Sequence, residues 1–209
     1  MSRHAIPTTP NPSPQGGEEP TALVATVLLL ITTPALAHTG ESAGGFFAGL
    51  MHPVLGPDHV IAMVAVGMWG AVLRPPALWL LPIIFPLVMA FGDVLGIAGV
   101  PLPAVETGIA ASAIVLGAMV AFGARPPLWV AAVLLGAFAI FHGYAHGKEL
   151  PDDANALTFS AGFVIATGAL HLAGIAFGLL ARWPAGQFAV RGAGGAIALA
   201  GLAYLSGLA

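Results

Sequence analysis

The sequence contains no cysteine among its 209 residues. This absence excludes a disulfide bond, a thiolate metal site and a cysteine-ligated iron–sulfur cluster. Any metal bound by this chain would therefore need histidine, carboxylate, methionine or backbone oxygen as its ligands. The six methionines are dispersed along the sequence, which is typical of packing positions and argues against a copper(I) pathway.

Charged residues are scarce as well. Six Lys and Arg and nine Asp and Glu make up 7% of the chain, and the mean hydropathy is +0.94. Soluble domains carry roughly 25% charged residues, so these few charges cannot cover a water-facing surface. The composition predicts an integral membrane protein whose surroundings are the lipid bilayer. No basic run indicates a nucleic acid partner.

Residues 1–37 carry the pattern of a secretory leader. A short apolar run over 21–33 is followed by Ala35 and Ala37, small residues at positions −3 and −1 of the expected cleavage site. We expect residues 1–37 to be a cleaved signal peptide with an atypical extension, and 38–209 to form the mature domain. Because only Arg3 is basic and two glutamates precede the run, an uncleaved extra helix or a later true start are the alternatives.

The remaining apolar runs match the length of membrane-spanning helices, for which about 20 residues are needed. They are separated by short segments rich in proline or charge, which leave no room for a soluble domain. The sequence therefore predicts an all-α, polytopic helix bundle with six transmembrane helices. The runs cover residues 44–73, 77–100, 103–123, 127–147, 155–180 and 188–208.

Arginine placement predicts an orientation. If His38 begins outside the cytoplasm, the loops alternate so that four arginines fall on the inner side and Lys148 alone falls outside. This bias satisfies the positive-inside rule and predicts a multi-pass protein with both its N- and C-termini outside the cytoplasm. The four arginines are Arg74, Arg125, Arg182 and Arg191.

Ionisable residues within the predicted spans converge on one end of the bundle. Each costs about 2.5–3.5 kcal/mol on insertion scales, so such residues usually mark a pathway or a site. In the predicted orientation every one except His171 lies in the outer half of the membrane. The residues are His52, Asp58, His59, Asp93, Glu106, His142, His146, Glu149 and His171.

His142, His146 and Glu149 are spaced i, i+4 and i+7, which places them on one helical stripe. Two imidazoles and a carboxylate suit a divalent cation such as nickel, cobalt or zinc, with an affinity order that favours nickel over cobalt. The alternative interpretation is a helix end whose polar residues meet headgroups and water.

His52, Asp58 and His59 lie around two prolines and a glycine, so the pattern predicts a broken or kinked helix. Irregular backbone at membrane depth is tolerated only where it is buried in protein or lines a wet cavity, and it exposes carbonyls that can bind cations. A simple proline kink with incidental hydrogen-bonded histidines is the alternative, less favoured because Asp58 also needs compensation.

Four further residues are candidates for accessory roles. Asp93 and Glu106 could supply charge balance, hydrogen bonds to the imidazoles or proton acceptance, but a neutral buried acid or an interfacial acid explains each equally well. We expect His171 to be hydrogen-bonded across helices. His38 would chelate a metal through its amine and imidazole if cleavage made it the amino terminus, and otherwise is a tail residue.

The two motifs resemble the signatures of the HupE/UreJ family of bacterial nickel permeases. The family patterns H-x-x-x-x-x-D-H and F-H-G-x-A-H-G-x-E match residues 52–59 and 141–149 without a departure, and the resemblance extends over 38–209. It implies a secondary transporter of the bacterial inner membrane that moves nickel(II) or cobalt(II) inward for hydrogenase or urease maturation. The two termini predicted to lie outside the cytoplasm would then be periplasmic. The metal is then the transported substrate, no cofactor is permanently bound, and the motif residues are its ligands.

Other functions are less well supported by the sequence. No G-x-x-x-x-G-K-[ST] segment is present, so ATP would not drive transport within this chain. The membrane potential supplies about 4.6 kcal/mol per 100 mV for two charges. No H-E-x-x-H stretch, the pattern of many zinc enzymes, is present. A membrane-embedded metalloenzyme, and a metal sensor or accessory subunit of another transporter, are the alternatives; the motifs specify no oligomeric state.

Overall fold

The computed structural model describes Met1 and residues 41–150 and 155–208, and all regular secondary structure in these residues is helical. The predicted signal peptide and His38 lie outside the described residues. The elements are α1 (Glu41–Leu55), α2 (Pro57–Leu73), α3 (Ala77–Ile97), α4 (Val105–Phe122), α5 (Leu128–Lys148), α6 (Ala156–Gly178), a 3₁₀ turn (Leu179–Arg182) and α7 (Pro184–Ser206).

The described helices confirm the all-α class and most of the predicted spans. Five of them, α3 to α7, are long and apolar enough to cross a membrane, with α6 continuing through the 3₁₀ turn. The first predicted span corresponds to α1 and α2 together, which are bent by 80° relative to each other. The described residues therefore contain five membrane-span candidates, or six when the bent pair is taken as one broken span.

The bend between α1 and α2 falls at Gly56, within the segment where the sequence predicts a break. Pro57 occupies the first turn of α2, where its missing N–H costs nothing, but it cannot extend the hydrogen bonds of α1. Gly56 has extended backbone, and its carbonyl accepts a hydrogen bond from the Val60 N–H at 2.9 Å. The break places His52 and His59 on either side of a corner.

Close helix packing accounts for much of the glycine content. Helices α3 and α5 run parallel, and a Cβ at Gly143 would overlap the carbonyl oxygen of Met89. Helices α4 and α7 run antiparallel and meet in the same way at Gly117 and Gly194. Small residues let the backbones of membrane helices come into contact. This close packing stabilises the bundle through van der Waals attraction, because the hydrophobic effect does not drive helices together in lipid.

The helix directions bring distant segments of the sequence to the same ends of the bundle. Helices α2, α4 and α6 run one way, and α3, α5 and α7 run the other, as the pairs of packed glycines show. The start of α2 therefore lies beside the end of α5. We call this end, which carries residues 52–59 and 142–149, the histidine end. The opposite end is the arginine end, which carries Arg74, Arg125 and Arg182.

The helix faces directed away from the bundle are apolar. On α3, exposed side chains recur at about one turn as Trp79, Ile83, Leu87 and Phe91. In a bilayer such a stripe faces acyl chains, since water would make this much exposed apolar surface unfavourable. The buried interior is built around large side chains that include Trp69 and Phe85.

Candidate metal centre

The corner between α1 and α2 and the last turns of α5 together form a cluster of four histidines. His52 lies in the last turn of α1, His59 lies in the first turn of α2, and α5 contributes His142 and His146 one turn apart. Their positions in the sequence differ by up to 94 residues. The structure thus brings together the two motifs that the sequence places at one membrane depth.

His146 is the centre of the cluster. Its Nδ1 lies 2.9 Å from His52 Nε2, and its Nε2 lies 3.0 Å from His59 Nδ1. His52 Nε2 is also 2.9 Å from Glu149 Oε2, which in turn is 3.6 Å from His146 Nδ1. Ligands held about 2.0–2.1 Å from a tetrahedral ion lie about 3.3 Å from one another. The spacing of these nitrogen and oxygen atoms is therefore close to that of a metal's ligand shell.

Two overlapping sets of ligand atoms result. His59, His142 and His146 form one set, and His52, His146 and Glu149 form the other; within each set the ligand atoms lie within 4.8 Å of one another. His146 belongs to both sets. Because an imidazole has two nitrogens, His146 can serve either set without moving its ring.

Burial increases from the second set to the first. The side chains of His52 and Glu149 are 28% and 56% exposed, whereas His59 and His142 are 3% and 1% exposed. His59 Nε2 is buried and has no hydrogen-bond partner among the described residues. A buried polar atom without a partner is unfavourable unless something else satisfies it, and a cation can do so.

Ser112 of α4 fixes the protonation of His142. Its hydroxyl donates to the Ile109 carbonyl at 2.6 Å, and its oxygen lies 2.9 Å from His142 Nε2. A serine has one hydrogen to donate, so Nε2 of His142 must carry the proton that this contact shares. Nδ1 of His142 is then left with a free lone pair for a metal.

A cavity of about 340 Å³ opens onto the cluster. Besides the four histidines and Glu149, its polar lining consists of Asp58 and Glu106, and it contains no Lys or Arg. Glu106 and Glu149 are exposed and Asp58 and His52 are partly buried, whereas the other three histidines are buried. This arrangement attracts a hydrated cation at the mouth and offers neutral nitrogen ligands further in.

Glu149 follows the last residue of α5 and is exposed. The nearby His146 imidazole lowers the pKa of its carboxyl from the ordinary value, and the contact with His52 acts in the same direction, whereas burial opposes both. The carboxyl is therefore ionised over the neutral range and supplies one negative charge to the more exposed ligand set.

Aromatic rings close the inner side of the cluster. The ring centroid of Phe163 lies 4.4 Å from that of His146, and the ring of Phe85 lies 5.7 Å from both His142 and His171. These phenylalanines separate the histidines from the rest of the bundle and lower the local dielectric. Sequence reasoning identified neither them nor Ser112, because a phenylalanine or a serine in an apolar run carries no sign of its neighbours.

The accessory candidates occupy different positions. Glu106 lines the cavity of about 340 Å³ that opens onto the histidine cluster. Asp93 lies half-buried beside a smaller cavity of about 40 Å³ that also borders on His146. Neither belongs to a ligand set. Their predicted roles in charge balance or proton acceptance stay predictions.

His171 is fully buried, and its ring centroid lies 5.7 Å from that of Phe85. Its ring approaches the carbonyl of Pro82, which lacks its helical donor because Pro86 has no N–H. Neither ring nitrogen makes a hydrogen bond of standard geometry with a described residue, so the structure does not show the interhelical hydrogen bond that we expected.

Comparison with known proteins agrees with the resemblance of the two motifs. Residues 26–204 match the family described as HupE / UreJ protein. The chain is 48% identical over 186 residues to Protein HupE of Rhizobium leguminosarum bv. viciae, an alignment that covers 88% of this chain and 97% of that protein. No solved structure matches the chain.

Proposed function

We propose that this chain, which belongs to the HupE/UreJ family, is a permease that takes up nickel(II) or cobalt(II) across the inner membrane. The metal would supply the maturation of a hydrogenase or urease. The observation that carries the proposal is the convergence of four imidazoles and a carboxylate, from two distant motifs, on one cavity at one end of an apolar bundle.

The chemistry of the ligands supports a borderline transition metal. Imidazole nitrogen with carboxylate oxygen suits nickel, cobalt and zinc, whereas magnesium and calcium prefer oxygen ligands alone. The absence of cysteine from the sequence removes the soft thiolate ligands that would favour copper(I). Nickel binds such ligands more tightly than cobalt in the general order of divalent metals.

The geometry also suggests how the cation would move. A cation attracted by Asp58, Glu106 and Glu149 would first meet His52, His146 and Glu149, and would then pass to His59, His142 and His146. Because His146 takes part in both sets, the ion exchanges two ligands while keeping the third. Stepwise exchange avoids a bare ion at membrane depth, where an unsolvated charge is very costly.

Further passage requires the helices to rearrange. Phe85 is fully buried next to His142 and His171, and Met63 and Leu81 are equally inaccessible. The described arrangement is therefore open to a cation at the histidine end and closed below it. This is the behaviour expected of an alternating-access carrier, with the membrane potential as the driving force.

Flux through the purified chain tests the proposal. The full chain reconstituted in proteoliposomes with a negative interior potential should accumulate radioactive nickel, and His52→Ala should reduce the initial rate at least about tenfold. Ser206→Ala is the matched control, because this serine is exposed near the end of α7 and bonds only the Ala203 carbonyl.

The same experiment separates the alternatives. Metal binding without flux would overturn the permease and indicate a sensor or accessory subunit. Hydrolysis or oxidation of a substrate by the purified chain, again without flux, would indicate a metalloenzyme. Uptake of zinc in preference to nickel and cobalt would contradict the proposed substrate while leaving transport intact.

A further inference from the structure

A second and larger cavity lies at the arginine end of the bundle. It has a volume of about 630 Å³ and is enclosed by the ends of α2 and α4, the 3₁₀ turn and the first turns of α7. None of the residues of the histidine cluster lines it. The cavity is therefore separate from the candidate metal centre.

Four arginines from four different segments line this cavity: Arg74, Arg125, Arg182 and Arg191. They are all but one of the arginines in the sequence. No Asp or Glu is among the lining residues. Among the described residues, the guanidinium groups of these arginines form no ion pair with a carboxylate.

One of these arginines has a structural partner and three do not. Arg191 donates to the carbonyls of Ala121 and Phe122, at 2.8 and 3.2 Å, and thereby caps the end of α4. The guanidinium groups of the other three form no hydrogen bond with another described residue. The positive-inside rule explains why arginines lie at this end, but it requires neither their convergence on a concave surface nor the lack of counter-charge.

Apart from Gln187, the other side chains that line the cavity are apolar. Buried side chains that include Val72, Leu78, Val120 and Val190 form its inner wall, while all four arginines are exposed at its rim. A ligand that fits this surface carries an anionic group at one end and hydrocarbon at the other. Guanidinium groups bind phosphate oxygens in a bidentate manner, and basic pockets between membrane helices are typical sites for phospholipid headgroups.

Tryptophans place the cavity at the depth of the headgroups. Trp79, Trp129 and Trp183 are 54%, 71% and 60% exposed and lie near the starts of α3, α5 and α7 at the arginine end. Exposed tryptophans are enriched at membrane–water interfaces, because the amphipathic indole ring suits the headgroup region. The arginine rim is therefore in reach of lipid phosphates.

We propose that this cavity is a binding site for an anionic phospholipid, whose phosphate is held by the arginine rim and whose first acyl segment contacts the apolar wall. If the proposed function is right, a bound phosphate would also offset part of the positive charge of the four arginines that a divalent cation meets on leaving the bundle. Binding of the lipid itself does not depend on the metal.

Native mass spectrometry of the delipidated full chain tests the proposal without metal. Phosphatidylglycerol, phosphatidylcholine with the same acyl chains, and inorganic phosphate are added separately in neutral detergent. We expect one phosphatidylglycerol to bind preferentially, and the double variant Arg125→Gln/Arg182→Gln to weaken it by about 30-fold, about fivefold for each arginine near the lipid charge. Lys148→Gln removes one charge from the exposed histidine end and should leave the affinity unchanged.

Equal binding of the two lipids, or equal phosphatidylglycerol affinity in the double variant and the unsubstituted chain, would overturn the site. Binding of inorganic phosphate without any preference for the anionic lipid would overturn the phospholipid and identify a site for free anions. If the double variant does not fold, Arg125→Lys/Arg182→Lys keeps both charges and loses the bidentate contacts. A loss of affinity in this variant supports the site, and no loss counts against the arginine contacts.

Discussion

The two ends of the bundle differ in the charge of the side chains that line their cavities. At the histidine end, four histidines and three carboxylates line a cavity without Lys or Arg, whereas four arginines line the cavity at the arginine end without Asp or Glu. The same helices contribute to both ends, so the difference comes from a few residues near the helix termini. It makes one end suited to a cation and the other to an anion.

The difference in burial between the two ends has a chemical cause. His59 and His142 are almost fully buried, while all four cavity arginines are exposed. A histidine can be buried because it can lose its charge and still offer a lone pair, whereas arginine stays charged under all ordinary conditions. A buried site for a metal is therefore built from imidazoles, and a guanidinium site remains at the surface.

Of the variants considered, His146→Ala should cause the largest loss of nickel affinity at the histidine end. This substitution removes the residue shared by both ligand sets, so nickel affinity should fall by more than about 100-fold, beyond the 10–100-fold typical of outer hydrogen-bond partners of a metal site. Calorimetric titration of the purified protein with nickel measures it. Lys148→Ala, an exposed position two residues along the same helix, should change the affinity by less than about threefold. Similar affinities in the two variants would mean that His146 is not a ligand.

A smaller effect is expected from Gly143→Ala, which affects packing at the histidine end alone. The new methyl group would overlap the backbone of Met89 and force α3 and α5 apart, at a cost of about 1–3 kcal/mol in stability. Because His142 precedes this glycine, nickel affinity should fall as well. Thermal unfolding in detergent and nickel titration measure the two effects.

Gly136→Ala is the matched control for this packing prediction. It lies two turns earlier on α5, and a Cβ there would meet nothing within 4 Å. Alanine favours a helix over glycine by up to about 1 kcal/mol, so this variant should be as stable as the original or more stable. Equal destabilisation by both substitutions would show that α3 and α5 do not pack as described.

The smallest of these effects should follow Ser112→Ala. This substitution changes a residue that contacts His142 but is not itself a proposed ligand. Loss of the hydroxyl leaves His142 Nε2 without its partner and frees the other tautomer, so nickel affinity should fall by about tenfold while folding is retained. Nickel titration and thermal unfolding measure this, with Ser206→Ala as the control. An unchanged affinity would mean that the hydroxyl does not position the imidazole.

The sequence alone determined the class of protein, the positions of the apolar helices and the break between His52 and His59. These features depend on composition, on hydropathy along the chain and on the backbone chemistry of Pro57, all of which are local. Both histidine motifs could also be assigned to one depth, because the length and direction of each span fix the depth of its residues.

Only the tertiary structure decided which side chains meet. Ser112 and Phe163 join the histidine cluster, Asp93 stays outside the ligand sets, and the arginines surround a cavity because helices distant in sequence pack laterally. In a uniformly apolar bundle, which helices pack side by side depends on how closely their surfaces fit at glycines, as at Gly143 against α3. The hydropathy of each helix carries no information about that fit. Depth in the membrane follows from one helix at a time, whereas a binding site requires several helices in a definite arrangement.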